Sequence, residues 1–291
     1  MGAQGIAVAH YDGASETPLN QCQWLPDVDI DNPEALKRQV ESWNLQGCQT
    51  SFVLSPQDYQ LILIEAPVVE AAELKEALRW RVKDLVSYDI STAVIDCFPV
   101  PEDAYRGRSS MAYAVVMPMA MSERIETFVS AAGLSLDTID IPELALRNLS
   151  DLHEPDSPLA KACLCLQEPV SYINLLCEQS LYLTRSIELP VGLLDAEDDQ
   201  VAQLASSMIL DIQRSLDYYE SQIGKPPCIK LLVCPLQAGE TALLSQFRHN
   251  LAVEVEQLDL GELLKSRESL SPELQSNTVI AVAGALRQEQ R

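Results

Sequence analysis

Glycine is scarce in this chain, with 11 among 291 residues. Phosphate-cradling turns bring main-chain N–H groups up to the anion and use glycine to do so. The shortage therefore argues against glycine-rich phosphate loops. Basic residues are scarce too: 20 Lys and Arg face 43 Asp and Glu, giving a formal net charge of -23 and a pI of about 4.3. A nucleic-acid binder needs a basic footprint that displaces counterions, so nucleic acid is excluded as a partner. Anionic lipid is repelled as well, except where a local basic patch interrupts the acid. High solubility and basic partner segments are the corollary. No apolar run reaches the roughly 18 residues needed to cross a bilayer, and residues 278–286 are far too few. The opening MGAQGIAVAHYDG lacks the basic-then-apolar order of a secretory signal, which points to a cytoplasmic chain.

Close cysteine pairs are also missing. Cys22, Cys48, Cys97, Cys163, Cys165, Cys177, Cys228 and Cys234 include no C-x-x-C, the spacing that zinc sites usually show. Cys163 and Cys165 share one face of a strand and could both touch a metal. Buried reduced thiols in a cytosolic core are the reading that composition favours. The three histidines, His10, His153 and His249, follow no triad or metal spacing and are expected to pack. Asp27, Asp29 and Asp31 begin like a calcium loop, but Asn32 and Arg38 stand where that loop needs glycine and glutamate.

What is present is globular. Hydrophobic residues make up 47% and charged residues 22%, which excludes disorder, and the length suits one large or two ordinary domains. The first half alternates strands (5–10, 19–25, 50–54, 60–65) with helices. Asn32 and Pro33 open a helix carrying Leu36, Val40 and Trp43 on one stripe. A helix over 69–86 repeats Leu74, Leu78, Val82 and Leu85. Acid loads its start (Glu70, Glu73, Glu76) and base its end (Arg79, Arg81, Lys83), as the helix dipole favours. Strands 93–100 and 111–117 form a hairpin about residues 106–108. A helix 122–132 closed by Gly133, a strand 138–141 and a helix 143–149 follow. Residues 153–161, polar with two prolines, read as a linker.

Beyond the linker come a three-strand meander (162–167, 170–177, 181–187) and a long helix, 200–223, striped by Leu204, Met208, Ile212, Leu216, Tyr219 and Ile223. Strand 230–234, helix 240–250, strand 253–258 and a terminal helix 277–287 complete the chain. The repetition implies duplicated α/β lobes around a cleft: 1–152, completed by 277–291, and 162–276. Two charge clusters stand out. Asp195, Glu197, Asp198 and Asp199 precede the long helix, as helix-start charge or as a dock for a basic tail. Arg79, Trp80, Arg81 and Lys83 oppose the global sign, as a helix's charged face or as a partner-binding patch for membrane phosphates or acidic residues.

Four segments, in order, resemble the PilM family of pilus assembly proteins: ELKEALRWRVKDLVSYDISTAVIDCFPVP (73–101), FVSAAGLSLDTIDIPELALRNL (128–149), DIQRSLDYYESQIGKPP (211–227) and VIAVAGALRQ (279–288). The resemblance implies an actin-like ATPase (ribonuclease H-like) fold lying under the inner membrane. It also implies that the chain holds the cytoplasmic tail of a PilN-like membrane protein of the pilus inner-membrane platform. ATP and magnesium would sit between the lobes, gripped by two phosphate turns and a glycine-rich adenosine turn. Here this sequence departs from the family. Ala9 and Tyr11 replace the acid and glycine of the first D-x-G, with Asp12-Gly13 three residues later. Cys165 and Gln167 replace those of the second, and Pro235 and Leu236 stand at the adenosine-turn glycines. Such positions are vestigial: the metal-handling charge is gone and side chains crowd the turns. A scaffold without turnover is the expectation. The alternatives are a working Mg-ATP switch and the related cytoplasmic module of a type II secretion L protein, a kind that continues into a membrane helix.

Overall fold

A computed structural model describes residues 5–67, 69, 71–86, 88–105, 109–154, 157–168, 170–194, 198–239 and 241–287. Strands β1 (Gly5–Tyr11) and β2 (Leu19–Pro26) pair as a two-stranded sheet, and the Asp12 N–H donates to Pro18 O across their connection. Ala7–Trp24 joins everything from Glu143 onward in one compact unit; Leu25–Pro142 form the other.

The second unit holds α1 (Glu34–Trp43), β3 (Gln49–Val53), β4 (Gln60–Glu65), α2 (Ala71–Val82), β5 (Ala93–Pro99), β6 (Met111–Pro118), α3 (Met119–Ala131) and β7 (Ser135–Asp140). β3 and β7 pair in parallel, while β4, β6 and β5 form an antiparallel sheet with β6 in the middle. Alternation dictates the inner face of that sheet. Ala114 and Val116 of β6 and Ala93 and Ile95 of β5 are buried, and Val82 of α2 packs on them. α2 is shorter than its apolar pattern suggests. It stops at Val82, the Leu85 N–H turns back to Val82 O, and Leu85 leaves the helical phase to become exposed. α3 buries Ile125, Phe128 and Val129. The chain leaves it through Gly133 at φ +85, the left-handed conformation that favours glycine. The residues 106–108 expected to turn between β5 and β6 lie outside the described residues.

The other unit continues with α4 (Pro142–His153), β8 (Lys161–Cys165), β9 (Ser171–Cys177), β10 (Ser180–Ile187), α5 (Asp198–Tyr218), β11 (Lys230–Val233), α6 (Ala242–Asn250), β12 (Glu254–Gln257), α7 (Leu260–Leu263) and α8 (Pro272–Ala285). Its five-stranded sheet runs β10-β9-β8-β11-β12, with the meander antiparallel and β8, β11 and β12 parallel. Every residue of β8 and β9 is buried, as in a strand covered on both faces. The long helix buries Met208 and Ile212, then widens into a π turn over Tyr219–Ile223 before Gly224 ends it at φ +79. That wider turn seats Tyr219 edge-on to Tyr182, ring centroids 5.8 Å apart. α8 starts five residues before the expected 277. Ser271 caps it, its Oγ accepting from the Leu274 N–H, and Pro272 fills the first turn.

Candidate functional site

Two turns at the ends of neighbouring strands meet one helix. β8 ends at Cys165, whose buried side chain lies in the core beside Tyr172 of β9. The chain then turns through Leu166 and Gln167. Ser171 closes this turn from within: its Oγ accepts from the Gln167 N–H at 3.1 Å and donates to Gln167 O at 3.2 Å. The Gln167 side chain reaches α8, donating from Nε2 to Ser276 O at 3.3 Å. The second turn leaves β11. The Cys234 N–H donates to Leu164 O at 2.8 Å, Pro235 has no N–H, and the Gly239 N–H returns to Leu236 O at 2.9 Å. Pro235 and Leu236 are both buried. Gln237 Nε2 reaches Asn277 Oδ1 of α8 at 3.4 Å, and Gly239 lies against Pro272 at the start of the same helix.

Ser171, Ser276 and Asn277 are functional-site neighbours that the sequence reading missed. A hydroxyl four residues after Gln167 was the available signal for the first, but nothing local announces partners 109 and 40 residues away. The Thr278 hydroxyl of α8 donates to Leu274 O at 2.7 Å within its own helix. Ala9 and Tyr11 are half-buried on β1. Asp12, beyond them, uses its Oδ1 to accept from the Ala14 N–H at 3.0 Å within its own loop.

Behind the β8 turn lies a buried polar group. Asn174 Nδ2 donates to Glu143 O at 2.8 Å. Burial first, then the Glu143 and Cys165 charges, push the Tyr172 hydroxyl far above the usual phenol range. Cys163 and Cys234 approach to 4.0 Å across β8 and β11. Contacts with Cys163 and Cys165, then burial, hold the Cys234 thiol well above its ordinary value. Among the described residues no group of three or more His, Cys, Asp or Glu side chains is arranged to hold a metal ion.

In the Arg79–Lys83 cluster, Trp80, Arg81 and Lys83 are exposed and Arg79 is half-buried. Arg79 Nη2 donates to Ile90 O at 2.8 Å and Arg81 Nη1 to Glu65 O at 3.0 Å, so both guanidinium groups brace main chain. Trp80 and Lys83 are brought together, with Nζ 6.0 Å from the ring centroid. A different charge cluster, absent from the sequence reading, forms at the other end of the β8–β11–β12 strands. Lys230 Nζ bonds Glu154 Oε1 at 2.7 Å and Glu256 Oε2 at 3.2 Å, and His153 Nε2 meets Glu256 Oε1 at 2.8 Å. Lys161 Nζ donates to Ser150 O at 2.6 Å, and burial, against the pull of Asp151 and Glu154, lowers its pKa. Asp31 pairs with Arg124 at 2.8 Å and Asp29 Oδ1 accepts from its N–H, both contacts of an ordinary loop.

Sequence comparison finds no matching family model and no matching curated protein. Comparison of folds finds several solved structures. A chain described as belonging to a "PilM-PilN type IV pilus biogenesis complex" superposes with a TM-score of 0.68 over 98% of this chain and 97% of its own, at 18% identity. The cytoplasmic domain of EpsL, an inner membrane component of the type II secretion system of Vibrio cholerae, gives 0.53 over 91% and 88%, at 15% identity. A Bacteroides thetaiotaomicron protein with an actin-like ATPase fold gives 0.47 over 87% and 86%, at 9% identity. The fold is actin-like, a mixed α/β architecture. Among the described residues no helix is long and apolar enough to cross a membrane.

Proposed function

We propose that this chain is a PilM-like assembly scaffold for a type IV pilus, working at the cytoplasmic face of the inner membrane with a vestigial nucleotide site. The observation that carries the reading is the closed β8 turn. In an actin-like site the donors at this turn would face phosphate; here the Gln167 N–H goes to Ser171, Cys165 replaces the acid and Pro235 has no donor. An anion needs open main-chain amides and magnesium needs carboxylate or water ligands, so these residues do not fit Mg-ATP. No hydrolytic step is assigned to them. The wording RWRVKDLVSYDI further suggests the MSHA pilus biogenesis protein MshI, and the partner is then the cytoplasmic tail of a PilN-like inner-membrane protein, bound to a preformed groove.

Calorimetric titration with that tail peptide tests the reading. Micromolar binding without nucleotide is expected, and no binding at micromolar concentration overturns it. A thermal shift with millimolar Mg-ATP, the signature of a ligand bound by the native state alone, instead favours a working switch. The likeness to the EpsL domain supports a second reading, a type II secretion L-like module, which predicts capture of a secretion-system partner in place of the pilus tail.

A further inference from the structure

We propose that the outer edge of β4 pairs, strand to strand and antiparallel, with β4 of a second copy of this chain. β4 is an outer strand of the β4-β6-β5 sheet. The Ala66 N–H donates to Ser110 O of the neighbouring β6 side at 2.7 Å. An antiparallel ladder alternates, so the main-chain groups of Ile62 and Ile64 also face β6, and those of Leu61, Leu63 and Glu65 point away from it. Arg81 takes the outward Glu65 O at 3.0 Å. Among the described residues nothing takes the outward N–H and C=O of Leu61 and Leu63.

An unpaired edge invites another strand, and proteins guard edges with charge, bulges or shortness. The other outer strands of the two larger sheets are guarded. β10 breaks register between Leu181 and Leu183, β12 has four residues of which two are Glu254 and Glu256, and β5 carries Asp96, paired with Lys75. β4 reads QLILIE, uncharged before its last residue. Side-chain cover thins toward it on both faces. Ala114 and Val116 are buried where Ile62 and Ile64 beside them are half-buried, and Tyr113 is buried where Leu63 opposite it is half-buried. The strand's own sequence selects the occupant. A two-fold axis through an edge keeps each side chain on its face, so it opposes residues of like parity. Centred on Ile62, it lets Leu61 exchange both main-chain bonds with Leu63 of the second copy, sets Ile62 beside its counterpart and Gln60 beside Ile64. No carboxylate opposes another. A lysine- or arginine-rich segment would set charge against Leu61 and Leu63, where a second copy sets leucine.

Sedimentation equilibrium of the full chain tests the pairing. At micromolar concentration a reversible dimer of the 32.1 kDa chain is expected, tightening with salt because two copies of net charge -23 repel. Leu63→Pro removes an outward N–H, a change that edge strands tolerate, and Leu63→Lys places a guarding charge at the same point. Each should weaken the dimer about tenfold or more. Cross-linking reads the register without relying on either variant. Opposed residues of a non-hydrogen-bonded pair stand about 4.5 Å apart at Cα, within disulfide reach. With diamide as oxidant, Ile62→Cys should give a covalent dimer. Gln60→Cys, about 14 Å from its counterpart in this register, should give no more than wild type with its native cysteines. A wild type that stays monomeric in high salt overturns the proposal and leaves the scaffold reading standing. A dimer that survives both Leu63 variants, or equal cross-linking through Gln60→Cys, overturns it too. Amide exchange at Leu61 and Leu63 slowed by the PilN-like tail peptide, and not by raising the protein concentration, assigns the edge to the tail and overturns the pairing of copies.

Discussion

Lys230 joins three elements of the larger unit through one ammonium. It opens β11, and its Nζ holds Glu154, just after α4, at 2.7 Å and Glu256 of β12 at 3.2 Å. Replacing it with methionine keeps most of the aliphatic stem and removes the charge. The lysine side chain is only 13% exposed, the carboxylates 35% and 40%. A charge-assisted hydrogen bond contributes ~1.5–3 kcal/mol when buried, and solvent at the two carboxylates screens part of that. The expected loss for Lys230→Met is about 2 kcal/mol, or about 4–8 °C in the melting midpoint of a unit this size.

The pH dependence separates electrostatics from packing. The hydrogen bond from Lys230 holds Glu154 below its ordinary value of 4.5. Burial pushes Glu256 up, but hydrogen bonds from His153 and Lys230 outweigh it and leave it lowered. Depressed carboxylates contribute stability above their unfolded pKa and lose it as the pH falls through the folded values. Lys230 is raised above 10.5, chiefly by its bond to Glu154; its contribution holds below that value and disappears as the pH rises through the higher folded one. The difference between wild type and variant should be full from about pH 6 to 9 and shrink on both sides. Urea unfolding followed by circular dichroism measures it, avoiding the neighbourhood of the pI, about 4.3. A loss of the same size at pH 3 and pH 7, or none at pH 7, refutes the reasoning.

Three further outcomes follow from the same coordinates. Val82→Ala, at a fully buried site against Ala93, Ile95, Ala114 and Val116, should cost about 2–3 kcal/mol in urea unfolding. Ser171→Ala removes both bonds that close the Gln167 turn. It should cost ~1 kcal/mol without creating a Mg-ATP thermal shift, because Cys165 and Pro235 remain. Thiol titration at pH 8 should find Cys163, Cys165 and Cys234 protected in the native chain and reactive only in denaturant, with Cys228 also slow because burial pushes it up to about 11. Rapid native reaction of more than the half-buried Cys22, Cys48 and Cys97 contradicts the packing of the β8–β11 sheet.

Most elements were legible from periodicity alone. The meander, α5 and the β5–β6 hairpin sit within a few residues of where alternation and helical stripes put them. The misses have local causes. The stripe Leu74–Leu78–Val82–Leu85 continues in sequence past a helix that has already ended, because spacing cannot register a turn that reverses the chain. The expected start of α8 at 277 falls late because Ser271-Pro272, a capping pair, precedes a polar turn rather than an apolar one. At the vestigial turns the residue types could be read, Cys165, Gln167, Pro235 and Leu236, but not what each touches.

The sequence by itself determined the alternation of elements, the acidic surface and the residue types at the two turns. These depend on local spacing and composition, which one chain displays in full. Tertiary structure alone decided that Ser171 takes the Gln167 N–H, that Ser276 and Asn277 of α8 meet both turns, and that Arg79 and Arg81 bond the carbonyls of Ile90 and Glu65. Those are questions of which donor finds which acceptor. A hydrogen bond is fixed by distance and direction in space, and sequence separation carries no record of either.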